Sequence, residues 1–120
     1  MAVKRYIANA DNTITNAFES NLVTRGTGAN MGAADILEVF QIYGQESSAS
    51  QELSRVLIKF PIDDVSNDRT NSDIPASGSV SFYLRMFNAE HASTVPENYI
   101  LTVTAVSRSW QEGRGLDMDS

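Results

Sequence analysis

The sequence predicts an all-β protein with the architecture of an antiparallel β-sandwich or jelly roll. Short runs of alternating apolar and polar residues are separated by polar segments that favour turns. Strands at short intervals with such connections are typical of sandwiches and barrels. At 120 residues and 42% hydrophobic content, the chain can bury a single core. No internal repeat is present, and we expect residues 1–120 to form one domain.

Three runs carry the clearest strand pattern. In each, alternate positions are apolar, and the positions between them are largely polar or charged, as a strand with one buried face requires. The runs are residues 55–60 (RVLIKF), 80–86 (VSFYLRM) and 99–105 (YILTVTA).

Three further runs, residues 3–8, 13–18 and 36–43, are weaker strand candidates. The last is apolar on both faces, which is typical of a central strand covered on each side. Residues 33–39 are also compatible with the start of a short helix.

Turns are predicted between these runs. Three segments rich in Asn, Asp, Ser, Gly and other turn-forming residues separate the strands, namely residues 25–32, 44–51 and 63–78.

Composition excludes several classes of function. The chain has no cysteine, so a disulfide framework, a zinc-thiolate site and a thiol nucleophile are all ruled out. Its net charge of −6 with scattered basic residues argues against a surface that binds nucleic acid. No run approaches the roughly 18 apolar residues that span a bilayer, and the first residues turn polar too soon for a signal peptide. We therefore expect a soluble protein without a cofactor and with neither nucleic acid nor membrane as partner.

The order of the short motifs along the chain resembles a known family. The motifs are 10–14 (ADNTI), 27–32 (TGANMG), 36–39 (ILEV), 54–62 (SRVLIKFPI), 74–78 (IPASG), 80–86 (VSFYLRM), and 103–106 (VTAV) followed by 110–113 (WQEG). This succession resembles the DNRLRE-type jelly-roll domain, and the extended ending WQEGRGLDMD is most similar to the versions in bacteriophage virion structural proteins. The sequence departs from the family at two places: Met31 replaces the usual aromatic residue, and KFPI at residues 59–62 replaces Arg-Phe-Asp-Leu. The roles of those positions are not carried over.

The resemblance implies a non-enzymatic virion protein of the capsid, neck or tail. Its expected partners are other virion structural proteins and further copies of itself, and its expected location is the virion. In the family, more sequence follows the Trp-x-Glu-Gly element, commonly with a closing strand. We therefore expect residues 1–120 to be the N-terminal part of a longer protein.

Trp110, the only tryptophan, is the first candidate binding residue. An exposed indole suits stacking on a sugar ring, whereas its place between a strand and a glycine-containing turn favours packing at one end of the sandwich. A glycan-binding module of a surface adhesin or a polysaccharide-degrading enzyme is accordingly the alternative function. Its other aromatic candidates are Tyr6, Tyr43, Tyr83 and Tyr99.

Carboxylates form the second candidate site. Asp117 and Asp119, with Asp11, could supply oxygen ligands to calcium, because residues two apart on an extended segment point the same way. A solvated acidic tail is the alternative, and no metal is assigned. A second acidic group, Asp63, Asp64 and Asp68, could bind a cation, but a solvated connection is the expectation.

Catalysis has little support in the sequence. His91 is the only histidine and lies in a polar stretch typical of a surface loop. Ser93 lies too close in sequence to form a triad with it unless a third group orients the imidazole. Glu112 would need a second carboxylate at a defined separation to act as a glycosidase acid. The chain is expected not to be an enzyme.

Overall fold

A computed structural model of the chain describes residues 3–19, 21, 23–27, 30–43, 51–90 and 97–116. These residues form three strands and one helix: β1 (Ala10–Thr15), β2 (Gln41–Tyr43), β3 (Gln51–Lys59) and α1 (Ile62–Thr70). The chain divides into two compact units, one of Met1–Ser81 with Glu112–Ser120 and the other of Phe82–Gln111. All four elements belong to the first unit.

The strands form one antiparallel sheet in the order β1-β3-β2. β1 runs along β3 from Ala10 opposite Lys59 to Thr15 opposite Ser54. β2 pairs with the beginning of the same strand, with Gln41 opposite Leu53. The alternation in residues 55–60 predicts the second half of β3, which begins four residues earlier and ends one residue earlier than predicted.

β1 begins and ends three residues earlier than the predicted strand at 13–18. β1 ends at Thr15 because the Thr15 hydroxyl bonds two nearby backbone groups. That hydroxyl donates to the carbonyl of Leu53 at 2.8 Å and accepts the N–H of Ala17 at 3.1 Å. A side chain that bonds its own neighbouring backbone favours a turn over further strand.

β2 is much shorter than the predicted strand at 36–43, and residues 33–39 contain no helix. The strand is short because side-chain hydroxyls, and not backbone carbonyls, accept the N–H groups before it. The N–H of Glu38 donates to the Thr13 hydroxyl at 3.1 Å, and the N–H of Phe40 donates to the Ser54 hydroxyl at 2.7 Å. The Ser54 hydroxyl in turn donates to the carbonyl of Glu38 at 2.8 Å. Residues 36–39 therefore lie against the sheet through side-chain hydrogen bonds, and backbone pairing with β3 begins at Phe40, whose carbonyl accepts the N–H of Ser54 at 3.0 Å.

The predicted strands at 3–8, 80–86 and 99–105 are wrong for this structure, since none of them pairs with another strand among the described residues. Alternation makes a segment suitable for a sheet, but a strand also needs a neighbour for its N–H and C=O groups. The side chains of residues 81–90 and 97–106 are exposed.

The predicted turn at 63–78 is wrong in its first half, where α1 forms. Pro61 precedes the helix, Asp63 and Asp64 lie in its first turn, and Arg69 lies in its last. This arrangement complements the helix dipole, and it stabilises a helix that buries none of its residues. Turns do follow the helix, where Ser72 and Gly78 have positive φ angles of 63° and 93°.

Of the other predicted turns, residues 44–50 lie outside the described part of the chain. Within 25–32, Arg25 pairs with Phe18 in an isolated bridge.

The buried residues of the described part are polar. They are Asn12, Thr13 and Ser54, of which Thr13 is only 1% exposed, and no hydrophobic side chain in that part is buried. Apart from α1, the described residues consist of one small sheet and irregular segments. In the described residues, no helix has the length and apolar character needed to cross a membrane.

Replacing Ser54 with alanine should destabilise the protein by about 1–3 kcal/mol, because the N–H of Phe40 loses its acceptor away from water. Urea unfolding of the variant and the natural chain measures the change. Ser81→Ala is the matched control, since Ser81 is exposed and should change stability by no more than about 0.5 kcal/mol. Equal stability of the two variants would contradict the role given to the Ser54 hydroxyl.

Candidate functional site

Three segments that are far apart in sequence meet at one side of β1. They are Asp11 and Asn12 of β1, the loop at Asn30, and the segment from Glu112 to Gly115. Each belongs to one of the motifs on which the family resemblance rests. We call this cluster, made of Asp11, Asn12, Asn30, Glu112, Gly113 and Gly115, the motif junction.

Asn12 is the centre of the motif junction. Its side-chain amide donates to the carbonyl of Glu112 at 2.7 Å, and its side-chain carbonyl accepts the N–H of Met31 at 3.0 Å. One buried amide therefore satisfies a donor and an acceptor on two different segments. A neutral amide suits this task, because both of its ends are used and no charge is buried.

Asn30 repeats the arrangement from the loop side. Its side-chain carbonyl accepts the N–H of Gly32 at 2.8 Å and the N–H of Gly115 at 3.2 Å. The carbonyl of Gly115 also accepts the N–H of Ala33 at 3.0 Å. The loop and the C-terminal segment are thus joined by both side-chain and backbone hydrogen bonds.

Glycine is required at this contact for steric reasons. A Cβ on Gly32 would overlap the carbonyl of Glu112, and a Cβ on Gly115 would overlap the carbonyl of Asn30. Gly113 also has a φ angle of 76°, which lies in the region that favours glycine. The two backbones therefore lie closer than any other residue type would permit.

Glu112 completes the motif junction through its side chain. One carboxylate oxygen accepts the N–H of Asp11 at 2.9 Å. A hydrogen bond from a backbone N–H to a carboxylate is stronger than one between neutral groups. Glu112 is thus held by two hydrogen bonds, one from the Asp11 N–H to its carboxylate and one from the Asn12 side-chain amide to its backbone carbonyl. These bonds join β1 to the C-terminal segment.

Sequence-predicted site residues fall in different places. Trp110 belongs to the unit Phe82–Gln111 and is half-buried. Asp11 is half-buried in the motif junction. Asp117 and Asp119 lie outside the described residues, and the described part contains no group of three or more acidic or histidine residues arranged to hold a metal ion. The calcium hypothesis stays a prediction.

Of the acidic group at 63–68, Asp63 and Asp64 are exposed as the sequence predicts, whereas Asp68 contacts the N-terminal segment. One of its carboxylate oxygens accepts the Tyr6 hydroxyl at 2.6 Å and lies 2.7 Å from the Lys4 ammonium. The Asp68 side chain is only 14% exposed. Together with Arg5, Asp64 and Asn67, these residues line an open cleft of about 250 Å³ between the N-terminal segment and α1.

The Asp68 contacts shift three pKa values. The hydrogen bond from Lys4, followed by that from Tyr6, holds the pKa of Asp68 below its ordinary 3.8. The hydrogen bond to Asp68 raises the pKa of Lys4 above 10.5 and that of Tyr6 above 10.0. At neutral pH, Asp68 is therefore ionised, Lys4 is protonated and Tyr6 is neutral. These are the protonation states in which the three side chains join the N-terminal segment to α1.

Asn12 and Asn30 lie inside the motifs 10–14 and 27–32, but the motif pattern alone gives neither residue a role. The available signal was their residue type, since Asn beside a strand end or a glycine loop often bonds backbone groups. The sequence contains no comparable signal for the Lys4–Asp68 contact, because 64 positions separate the two residues.

Comparison with known proteins adds no relative. No protein-family model, curated protein or solved structure matches this chain. The resemblance to DNRLRE-type domains stays a prediction. We base the functional proposal on that resemblance and on the contacts and exposures of this chain's own residues.

Two substitutions of Glu112 should separate the role of its acceptor from that of its bulk. Glu112→Gln keeps a carbonyl oxygen for the N–H of Asp11, whereas Glu112→Ala removes the acceptor. We expect Glu112→Ala to lose about 1–3 kcal/mol in urea unfolding and Glu112→Gln to lose less than about half of that. Equal losses in the two variants would contradict the role of the Glu112 carboxylate in joining β1 to the C-terminal segment.

The contact of Tyr6 with Asp68 predicts a pH dependence at both ends of the range. Its contribution should hold above about pH 3.8, be lost as the pH falls through the lowered pKa of Asp68, and be lost again as the pH rises through the raised pKa of Tyr6. NMR titration of the Tyr6 ring should give a lower pKa in Asp68→Asn than in the natural chain. Asp64→Asn, in the same cleft, is the control and should shift it far less. An unchanged Tyr6 pKa in Asp68→Asn would rule out the contact.

Proposed function

We propose that the chain is a non-enzymatic structural subunit of a bacteriophage particle. In this role it is a capsid, neck or tail component that docks on neighbouring proteins through sheet edges, loops and exposed apolar side chains. The proposal includes a jelly-roll architecture, to which the small antiparallel sheet would contribute one part.

The exposure of apolar side chains carries the proposal. No hydrophobic side chain of the described residues is buried, and many large ones, including Ile7 at 85% and Phe87 at 82%, face solvent. Proteins that function as monomers rarely expose large contiguous apolar patches. Subunits of permanent assemblies bury such side chains against neighbouring subunits. A chain with this distribution therefore fits an assembly better than a free monomer.

More than half of the exposed large apolar side chains in the described part lie in one stretch, the unit Phe82–Gln111. This unit contains no helix or strand within its described residues. In residues 97–107 no backbone group takes part in a strand ladder within the described part of the chain, so this segment could pair with another chain. Docking by strand addition uses such groups for affinity and alternate side chains for specificity.

The outer strands of the sheet offer a second kind of contact. β1 and β2 flank β3, so each presents one side without a strand neighbour. On β1, Glu112 already occupies the N–H of Asp11. β2 is only three residues long, which limits how much ladder a partner could add there.

The order of motifs supports the bacteriophage origin. The residues that meet in the motif junction come from three of the motifs that resemble the DNRLRE-type domains. A chain that shared the family's fold would need such motif residues to be close together, and here they are within hydrogen-bond distance. This supports the proposal independently of surface exposure.

A glycan-binding module is the second candidate function. Its supporting observation is the exposure of aromatic rings in the unit Phe82–Gln111, with Tyr83 at 89% and Tyr99 at 65%. Trp110 is half-buried, and the Tyr6 hydroxyl is already bonded to Asp68. The side chain of Tyr43 lies outside the described residues. Glycan-array binding that is lost in Tyr83→Ala would favour this candidate.

The structural role predicts that the protein is present in purified phage particles in a fixed, symmetric copy number. Quantitative mass spectrometry of particles purified by density gradient measures this number, and an abundant non-structural phage protein is the control for carry-over. A constant ratio to the major capsid protein across preparations is the expected result. Loss of the protein during purification, in parallel with the control, would contradict the proposal.

A further inference from the structure

Residues 98–107 (NYILTVTAVS) combine three properties that are not found together elsewhere in the chain. The run is uncharged, it alternates in the manner of a strand, and it contains neither proline nor glycine. Its apolar side chains are exposed, with Ile100 at 92% and Val103 at 73%. None of its backbone groups takes part in a strand ladder within the described part of the chain. Segments of this kind pair readily with other strands.

We propose that residues 99–107 pair antiparallel with the same residues of a second copy, with Val103 opposite Val103 on a two-fold axis. This inference rests on the proposed role as an assembling subunit and names the surface that would be used. The two copies together would form a two-stranded ribbon, and both edges of the ribbon would stay open for further subunits.

The two charges that bound the run, Glu97 and Arg108, favour a second copy as the occupant of this segment. The chain carries a net charge of −6, so two copies repel each other over most of their surfaces. The run 98–107 is uncharged and is bounded by Glu97 on one side and Arg108 on the other. Antiparallel pairing brings Glu97 of one copy and Arg108 of the second copy to the same end of the ribbon. The run is thus electrostatically complementary to itself.

The register follows from the geometry of antiparallel strands. Residues directly opposite each other project from the same face. A two-fold axis normal to the sheet must therefore lie midway between one residue and the same residue of the second copy. With the axis at Val103, β-branched side chains lie opposite one another at three of the pairings. These three are Val103 with itself, Thr102 with Thr104, and Ile100 with Val106, while Leu101 lies opposite Ala105. Pairs of β-branched and of threonine side chains stabilise sheets.

Cysteine cross-linking in the full 120-residue chain tests the register, and the absence of native cysteine makes the background clean. In Val103→Cys the two thiols would lie opposite each other, within the Cα separation that a disulfide spans. In Ile100→Cys the equivalent residues would lie about 20 Å apart along the ribbon. Ile100 is the more exposed of the two, so random collision would favour cross-linking there.

Under mild oxidation, Val103→Cys should form covalent dimers at least about tenfold faster than Ile100→Cys, because only its thiols meet the disulfide geometry. Equal rates would show random collision and overturn the proposal, as would the absence of dimer from both variants. Both positions are exposed, and circular dichroism should confirm that each variant keeps the spectrum of the natural chain.

Sedimentation equilibrium provides a test without a covalent bond. The natural chain should dimerise reversibly, and Val103→Lys should weaken the dimer by about tenfold because it places two like charges opposite each other. Val103→Thr, which stays β-branched and uncharged, should dimerise as the natural chain does. A natural chain that is monomeric at every concentration would overturn the proposal.

Failure of this pairing is distinguishable from failure of the proposed function. Particles that contain the protein, together with Val103→Cys that does not cross-link, would leave the structural role standing and remove the ribbon. Specific cross-linking of a protein that is absent from particles would leave the ribbon standing and remove the structural role.

Discussion

Three buried polar side chains fix where the connecting segments lie on the sheet. Asn12, Thr13 and Ser54 each bond backbone groups of residues outside the strands, and these bonds hold residues 31–40 and the segment from Glu112 in place. A buried N–H without a partner costs about 1–3 kcal/mol, so each side chain is needed where it is. In the described part, burial is therefore organised by hydrogen bonds and not by an apolar core.

Because hydrogen bonds organise burial in the described part of the chain, its apolar side chains remain wholly or partly exposed to solvent. The helix α1 buries none of its residues, and the described residues of Phe82–Gln111 are almost all exposed. Hydrophobic burial is the largest favourable term in most associations, at about 25 cal/mol per Å² of apolar surface. We therefore expect this chain to gain much of its stability from assembly, so that its folding and its association would be linked.

Local sequence pattern predicted the elements whose cause is local. β3 was predicted by its alternation, and the region of β1 was predicted with a three-residue displacement because the Thr15 side chain ends the strand. α1 was missed, although Pro61, the acidic first turn and Arg69 are known helix signals; the Asn, Asp and Ser content of the segment outweighed them. The alternation at 80–86 and 99–105 could not reveal whether a pairing partner exists, because pairing depends on residues elsewhere.

The candidate site was predictable in its parts and not in its assembly. Each segment of the motif junction was recognised as a motif, yet about a hundred positions separate Asn12 from Glu112. The sequence suggested a catalytic acid for Glu112 and a calcium ligand for Asp11, and it did not suggest that either residue joins two segments of the chain. The fit between Asn30 and Gly115 depends on the close approach of two backbones, which no local pattern reports.

Amide hydrogen exchange of three backbone N–H groups tests the central claim most directly. The N–H groups of Met31, Glu38 and Phe40 donate to Asn12, Thr13 and Ser54, and none of the three residues lies in a strand. If these bonds organise the fold, all three amides should exchange as slowly as the ladder amides between β1 and β3. Exchange at the rate of the exposed segment 81–90 would show that the buried polar side chains do not hold the connecting segments, and would contradict the account.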